Sequence, residues 1–191
     1  MSIKQIILIG GATCVLYSCI GSRTTTNNYT LKETSREAEA HKTKKVLIVG
    51  HGGTGTRFFM ENLSDVLKQK LLVNQVEAEF EFLGFKEQVE KKLMDILSRE
   101  GHDAVLHFKP TGDELNPIVV DDYNASPRGA SINMQTTAVR FTQDFVVSFY
   151  AKESNKAVWT ATLSTNLDSR NEKFYNRIAD DILRYLQKDF L

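Results

Sequence analysis

Beyond Lys45 the apolar residues of this 191-residue chain fall into two kinds of pattern, short runs and helical stripes. Val46 to Val49 form a continuous apolar run, which predicts a strand buried on both faces. Phe59, Leu63, Val66, Leu67 and Leu71 then recur at three- and four-residue spacing, the stripe of an amphipathic helix. From Val76 to Phe82, Val76, Ala78, Phe80 and Phe82 alternate with Glu77, Glu79 and Glu81, as in an edge strand with one wet face. A second helix is predicted from about Phe85 to Arg99, burying Val89, Leu93, Ile96 and Leu97, with Gly101 as its stop. Asp103 to Phe108 reads as a third buried strand. Phe141 to Tyr150 and Ala157 to Leu163 flank Ser154-Asn155 as the two arms of a hairpin. Trp159 shares a strand face with Ala157, Ala161 and Leu163, so it belongs to the core. A last helix carries Phe174, Ile178, Ala179, Ile182, Leu183 and Leu186. The pattern predicts one domain over 45–191. Its fold class is an α/β (α+β) sandwich: a mixed sheet of about five strands, order β-α-β-α-β-β-β-α, with helices packed on it.

Two stretches stand outside that pattern. Lys109 to Ser131 holds all three prolines, Pro110, Pro117 and Pro127, and reads as a long excursion. At the other end, Lys4 precedes a nearly unbroken apolar run ending at Tyr17, then Ser18 and Cys19. That is the layout of a secretory signal, and the run is short of the ~20 apolar residues a spanning helix needs. Leu16-Tyr17-Ser18-Cys19 resembles a bacterial lipobox, in which the cysteine becomes the lipidated N-terminus. Residues 1–18 are therefore expected to be a lipoprotein signal peptide. Residues 19–44 are expected to be the lipidated Cys19 followed by a flexible tether, since Ile20 to Lys44 is rich in Thr, Asn, Ser, Glu and Lys.

Composition narrows the function classes. The formal charge is +0 overall, and from Lys45 onward 18 basic residues face 21 acidic ones. No basic block suggests a nucleic-acid partner. The only cysteines are Cys14 and Cys19, so a chain cleaved before Cys19 holds no disulfide and relies on its core.

The loop Gly50-His51-Gly52-Gly53-Thr54-Gly55 is the one motif with chemistry in it. Gly50, Gly52 and Gly55 satisfy G-x-G-x-x-G between a strand and a helix, where a helix N-terminus receives a pyrophosphate. The acidic residue expected about 20 positions on is missing, with Leu72, Val73 and Asn74 in its place. As a P-loop it fails too, because Thr56-Arg57 stands where Lys and Ser or Thr belong. What remains is a strand-to-helix turn, capped by Thr54 or Thr56. The alternative is a site for a small anionic, phosphate-bearing ligand on the Gly52 to Gly55 amides with Arg57, within the loop Gly50 to Arg57. The histidines His41, His51, His102 and His107 have no HExxH or cysteine partners, and His102 and His107 cannot grip one metal through local spacing. No metal, cofactor or catalytic residue is assigned. The row Glu77, Glu79 and Glu81 reads as a solvated face, and a hydrolase lacks a G-x-S-x-G nucleophile.

A resemblance runs through most of Lys45 to Leu191. It is carried by Thr56-Arg57-Phe58-Phe59-Met60-Glu61, Gly101-His102-Asp103-Ala104-Val105-Leu106, the hairpin Asn155-Lys156-Ala157-Val158-Trp159, and the ending Ile178-Ala179-Asp180-Asp181-Ile182-Leu183 with Leu186-Gln187-Lys188-Asp189. These segments are similar to small bacterial envelope lipoproteins of unknown function, which resemble the N-terminal α/β domain of the Tol-Pal propeller protein. They are also similar to the lipoprotein activators of penicillin-binding proteins. The resemblance implies a lipid-anchored, non-enzymatic protein held to the membrane by fatty-acyl chains such as palmitate on Cys19. It implies an unidentified envelope protein as partner. Ile20 after the cysteine implies the outer membrane, facing the periplasm.

Overall fold

Backbone pairing in the computed structural model joins seven strands into one sheet, two more than the five expected. The structure describes residues 28–37, 42–84, 89, 93, 95–96, 101–112, 118–120, 138–152, 154 and 156–191. The signal segment and Cys19 lie outside these residues. The elements are β1 (Asn28–Arg36), β2 (Lys45–Gly50), α1 (Thr54–Val73), β3 (Glu77–Phe82), β4 (Ala104–Thr111), β5 (Ile118–Val120), β6 (Ala138–Ala151), β7 (Ala157–Asp168) and α2 (Glu172–Leu186). The strand order is β1-β7-β6-β4-β2-β3, with β5 on β6 beyond the end of β4. β2 pairs in parallel with β3 and β4, and every other pairing is antiparallel. The fold is the mixed α+β sheet with helices packed on it that the pattern predicts.

Alternation decides what each face buries. Val46 and Ile48 of β2, Leu106 and Phe108 of β4, Phe145 and Phe149 of β6, and Trp159 and Leu163 of β7 point to one side. There α1 contributes Phe59, Leu63 and Leu67, and α2 contributes Ile178, Ile182 and Leu186. Phe59 is the meeting point, stacked on Phe141 at 4.7 Å and Phe145 at 5.4 Å between ring centroids. Each such side chain removed from water contributes roughly 1.5–3 kcal/mol. On the opposite face Leu47, Val49 and Val105 meet Leu83, Val89 and Ile96 in a smaller cluster. Positions 89, 93, 95 and 96 are helical, and Val89 and Ile96 are buried as expected.

β3 is an edge strand, as its glutamates predict. Trp159 is fully buried in the core. Three boundaries differ from expectation. The expected tether contains β1, which pairs with β7 from Asn28↔Asn166 to Arg36↔Trp159. It is held by more than its own composition. Tyr29 and Leu31 pack on the core, and Arg36 pairs with Glu33 and with Asp189 beyond α2. The expected excursion begins late, because β4 runs on to Thr111. Pairing with β2 stops at Phe108, so Pro110 sits where β4 bonds only to β6 and its missing N–H costs no ladder bond. The excursion also contributes β5, while residues 113–117 and 121–137 lie outside the described part. Finally, α1 starts on Gly53 as N-cap with no side-chain cap bond. Thr54 and Thr56, the expected caps, are already inside the helix.

Candidate functional site

The chain leaves β2, crosses over α1 to β3 on one side, and returns past β2 to β4 on the other. The carboxyl ends of β2 and β4 therefore flank the point where crossovers diverge, the usual ligand crevice of a parallel sheet. The glycine loop and two histidines sit there.

The glycines serve close packing. A Cβ on Gly50 would lie 2.9 Å from the Cγ of Met60, so α1 approaches the end of β2 with no room for a side chain. Gly52 has a φ of +136, and a Cβ there would meet Thr56 at 2.9 Å. The loop is also stitched to the exit of β3: the Gly52 amide donates to the Gly84 carbonyl at 2.9 Å, and the Leu83 amide donates to the Gly50 carbonyl at 2.9 Å. Arg57 donates to Glu61 at 2.8 Å and lies over the Phe82 ring at 5.9 Å. Two of the groups an anion would use, the Gly52 amide and the Arg57 guanidinium, thus already have partners.

His51 follows Gly50 and His107 stands opposite Val49 in the parallel register, so both project from the same face of adjacent strands. Their rings stack at 5.2 Å, and His51 Nδ1 lies 3.2 Å from His107 Nε2. Both are buried, at 2% and 3% exposure. Burial, then the neighbouring His51, then Lys109 pull the His107 pKa down to about 3. His107 is therefore neutral at physiological pH and far too weak a base for proton abstraction there. The 3.2 Å approach suits a buried, hydrogen-bonded plug in which a neutral His107 shares a proton contact with His51. The sequence placed His102 and His107 on one strand but did not pair His107 with His51. The clue was positional: each lies at the carboxyl end of a buried parallel strand.

His102 goes elsewhere. It contacts Glu79 at 3.2 Å, and Glu79 also binds Lys45 at 2.7 Å. Lys45 first, then His102, holds the Glu79 carboxyl below the usual carboxylate range. Glu79 thus ties the β3 edge to β2 and to the entry of β4. Among the described residues no three histidines, cysteines, aspartates or glutamates form a group able to hold a metal. Among them, too, no helix is long and apolar enough to cross a membrane.

No protein-family model and no curated protein matches the chain. Among solved structures it is similar to the PelC dodecamer from Paraburkholderia phytofirmans in space group P6. The TM-score is 0.45 and the identity 13%, over 82% of this chain and 95% of that one. A variant PelC dodecamer from the same organism, in space group C2, gives 0.45 and 15%, over 80% and 94%. Likeness at this level brings neither residue roles nor an activity to the chain.

Proposed function

We propose that the chain is a lipid-anchored, non-enzymatic envelope protein whose α+β domain binds or assists another envelope component. The observation that carries this reading is the spacing between Leu16-Tyr17-Ser18-Cys19 and the first residue of β1. Nine residue steps separate Cys19 from Asn28, and Asn28 is already paired in the sheet. An acyl chain on Cys19 would hold the domain within about 30 Å of the bilayer, the limit of nine extended residues at ~3.3–3.6 Å each. Two or more acyl chains make such an anchor stable, since each buried CH₂ contributes ~0.8 kcal/mol and one chain alone is marginal. The buried His51–His107 pair is read as a structural plug, which agrees with a binding role better than with catalysis. The outer membrane, periplasmic side, is the proposed location.

Intact mass of the protein purified from its native envelope tests the anchor. The expected mass is that of a chain beginning at Cys19 plus acyl groups, and Cys19→Ala should abolish both the added mass and membrane sedimentation. An unmodified full-length mass would overturn the reading. Recovery of the acylated protein from the inner membrane alone would overturn the location.

A further inference from the structure

β3 and β1 are the two ends of the sheet, and among the described residues no further strand pairs with either. In β3 the Glu77 amide donates to the Lys44 carbonyl and the Leu83 amide to the Gly50 carbonyl, both towards β2. Backbone groups alternate sides along a strand paired in parallel, so Glu77, Glu79 and Glu81 bond inward. The N–H and C=O groups of Ala78, Phe80 and Phe82 point out of the sheet instead. Such a row is a template for another strand.

Side chains decide which strand fits. Ala78, Phe80 and Phe82 pack with the core on the helix-covered face, and Glu77, Glu79 and Glu81 lie on the other. β1 is built alike: Tyr29 and Leu31 pack on that core, and Thr30 and Lys32 are exposed on the opposite face. The lengths agree as well. β3 has six residues, and β1 keeps its register from Asn28 to Glu33 before it shifts.

Direction matches too. β2, β3 and β4 run one way, and the antiparallel steps through β6 and β7 leave β1 running the other. A second copy set beside the first in the same orientation therefore brings its β1 antiparallel to β3. The helices of both copies then lie on one face of the joined sheet.

Parity restricts the register. A slip of one residue would turn Tyr29 and Leu31 to the charged face, so only two-residue steps keep the faces matched. Those steps set Lys32 of one copy against the glutamate row of the other, and Leu31 beside Ala78, Phe80 or Phe82. Glu79 keeps its bonds to Lys45 and His102, and Lys32, in no ion pair among the described residues, adds a cation beside it. Two β3 edges joined in the same way would oppose glutamate to glutamate, which is destabilising.

We propose that the β3 edge of one copy takes up the β1 edge of a second copy, head to tail, in one continuous sheet. A contact of this kind repeats, closing into a ring or running on as a filament. Every copy keeps the Asn28 end of β1 on the same side, so the contact stands with or without an acyl chain on Cys19.

Sedimentation velocity of the full chain in a non-ionic detergent tests this, over a concentration series up to about 1 mM, the weak end of specific binding. Two variants each disable one edge. Ala78→Pro removes an outward N–H that the pairing with β2 does not use. Thr30→Glu combined with Lys32→Glu sets like charges opposite the glutamates. The native chain should form species larger than a dimer that grow with concentration. Each variant alone should associate at least tenfold more weakly. Mixed one to one, they should give a dimer that grows no further, because one β3 edge and one β1 edge remain. Amide NMR spectra check that the variants fold, and Glu77→Lys, which repels Lys32, replaces Ala78→Pro if the proline unfolds the strand. A native chain that stays monomeric, an assembly that neither variant weakens, or a mixture that stays monomeric would each overturn the proposal. A dimer that survives one variant would also overturn it, in favour of a closed two-fold pair.

Discussion

His107 carries the strongest pH signature among the described side chains. Its pKa is 6.5 when solvated and about 3 in the fold, so between those values the unfolded chain binds a proton that the native chain refuses. Its contribution is complete above pH 6.5 and is lost progressively as the pH falls towards 3. The lowered carboxylates Glu33, Glu79 and Asp168 act in the same direction, but only below their ordinary values of 4.5 and 3.8. The window from pH 6.5 to 4.5 therefore lies above all three carboxylates. Urea midpoints measured across it should fall with acid in the native chain and stay nearly level in His107→Leu, apart from a pH-independent offset. A slope that survives the substitution would assign the titration to another group. Trp159 was legible at this scale and the histidine pair was not. The tryptophan's alternation with Ala157, Ala161 and Leu163 is local, whereas His51 and His107 meet only through a parallel register that α1 and the later crossover create.

Among the elements, β1 departs furthest from its sequence. Only Tyr29 and Leu31 in it are apolar and core-facing, and Thr30, Lys32 and Thr34 are exposed. Read alone, the segment cannot offset its ordering entropy. Its stability comes from the waiting edge of β7, from the packing of those two side chains, and from Arg36 with Glu33 and Asp189. Long, strongly patterned elements such as α1, β6 and α2 needed no such help and were legible. Replacing Tyr29 and Leu31 together by Asp should detach the strand and cost about 2–4 kcal/mol, the range for truncating two half-buried apolar side chains. Hydrogen exchange would then rise sharply along Thr160 to Asn166 and stay slow in β2 and β4. Uniform acceleration across the sheet would mean instead that β1 and the core unfold as one unit.

The whole molecule is assembled from contacts far apart in the chain. β1 joins β7 through pairs as distant as Asn28↔Asn166, and β4 is separated from β2 by α1, β3 and the crossover. Closing such long loops comes before the contacts that reward it, so folding should take milliseconds to seconds rather than microseconds. Pulse-labelled exchange during refolding should protect the β6–β7 hairpin before β1. Protection of β1 first would contradict a strand stabilised by its partner. The candidate crevice shows the same limit on reading from sequence: the glycine loop was visible as a motif, but its stitching to Gly84 is a property of the assembled sheet. The distance from β1 to β7 has a further consequence for a chain made from its amino end. β1 leaves the ribosome more than a hundred residues before the edge that receives it. Throughout that interval Tyr29 and Leu31 have no β7 edge and no core to pack on, so the segment stays open to solvent, chaperones and proteases until the last strand closes the sheet.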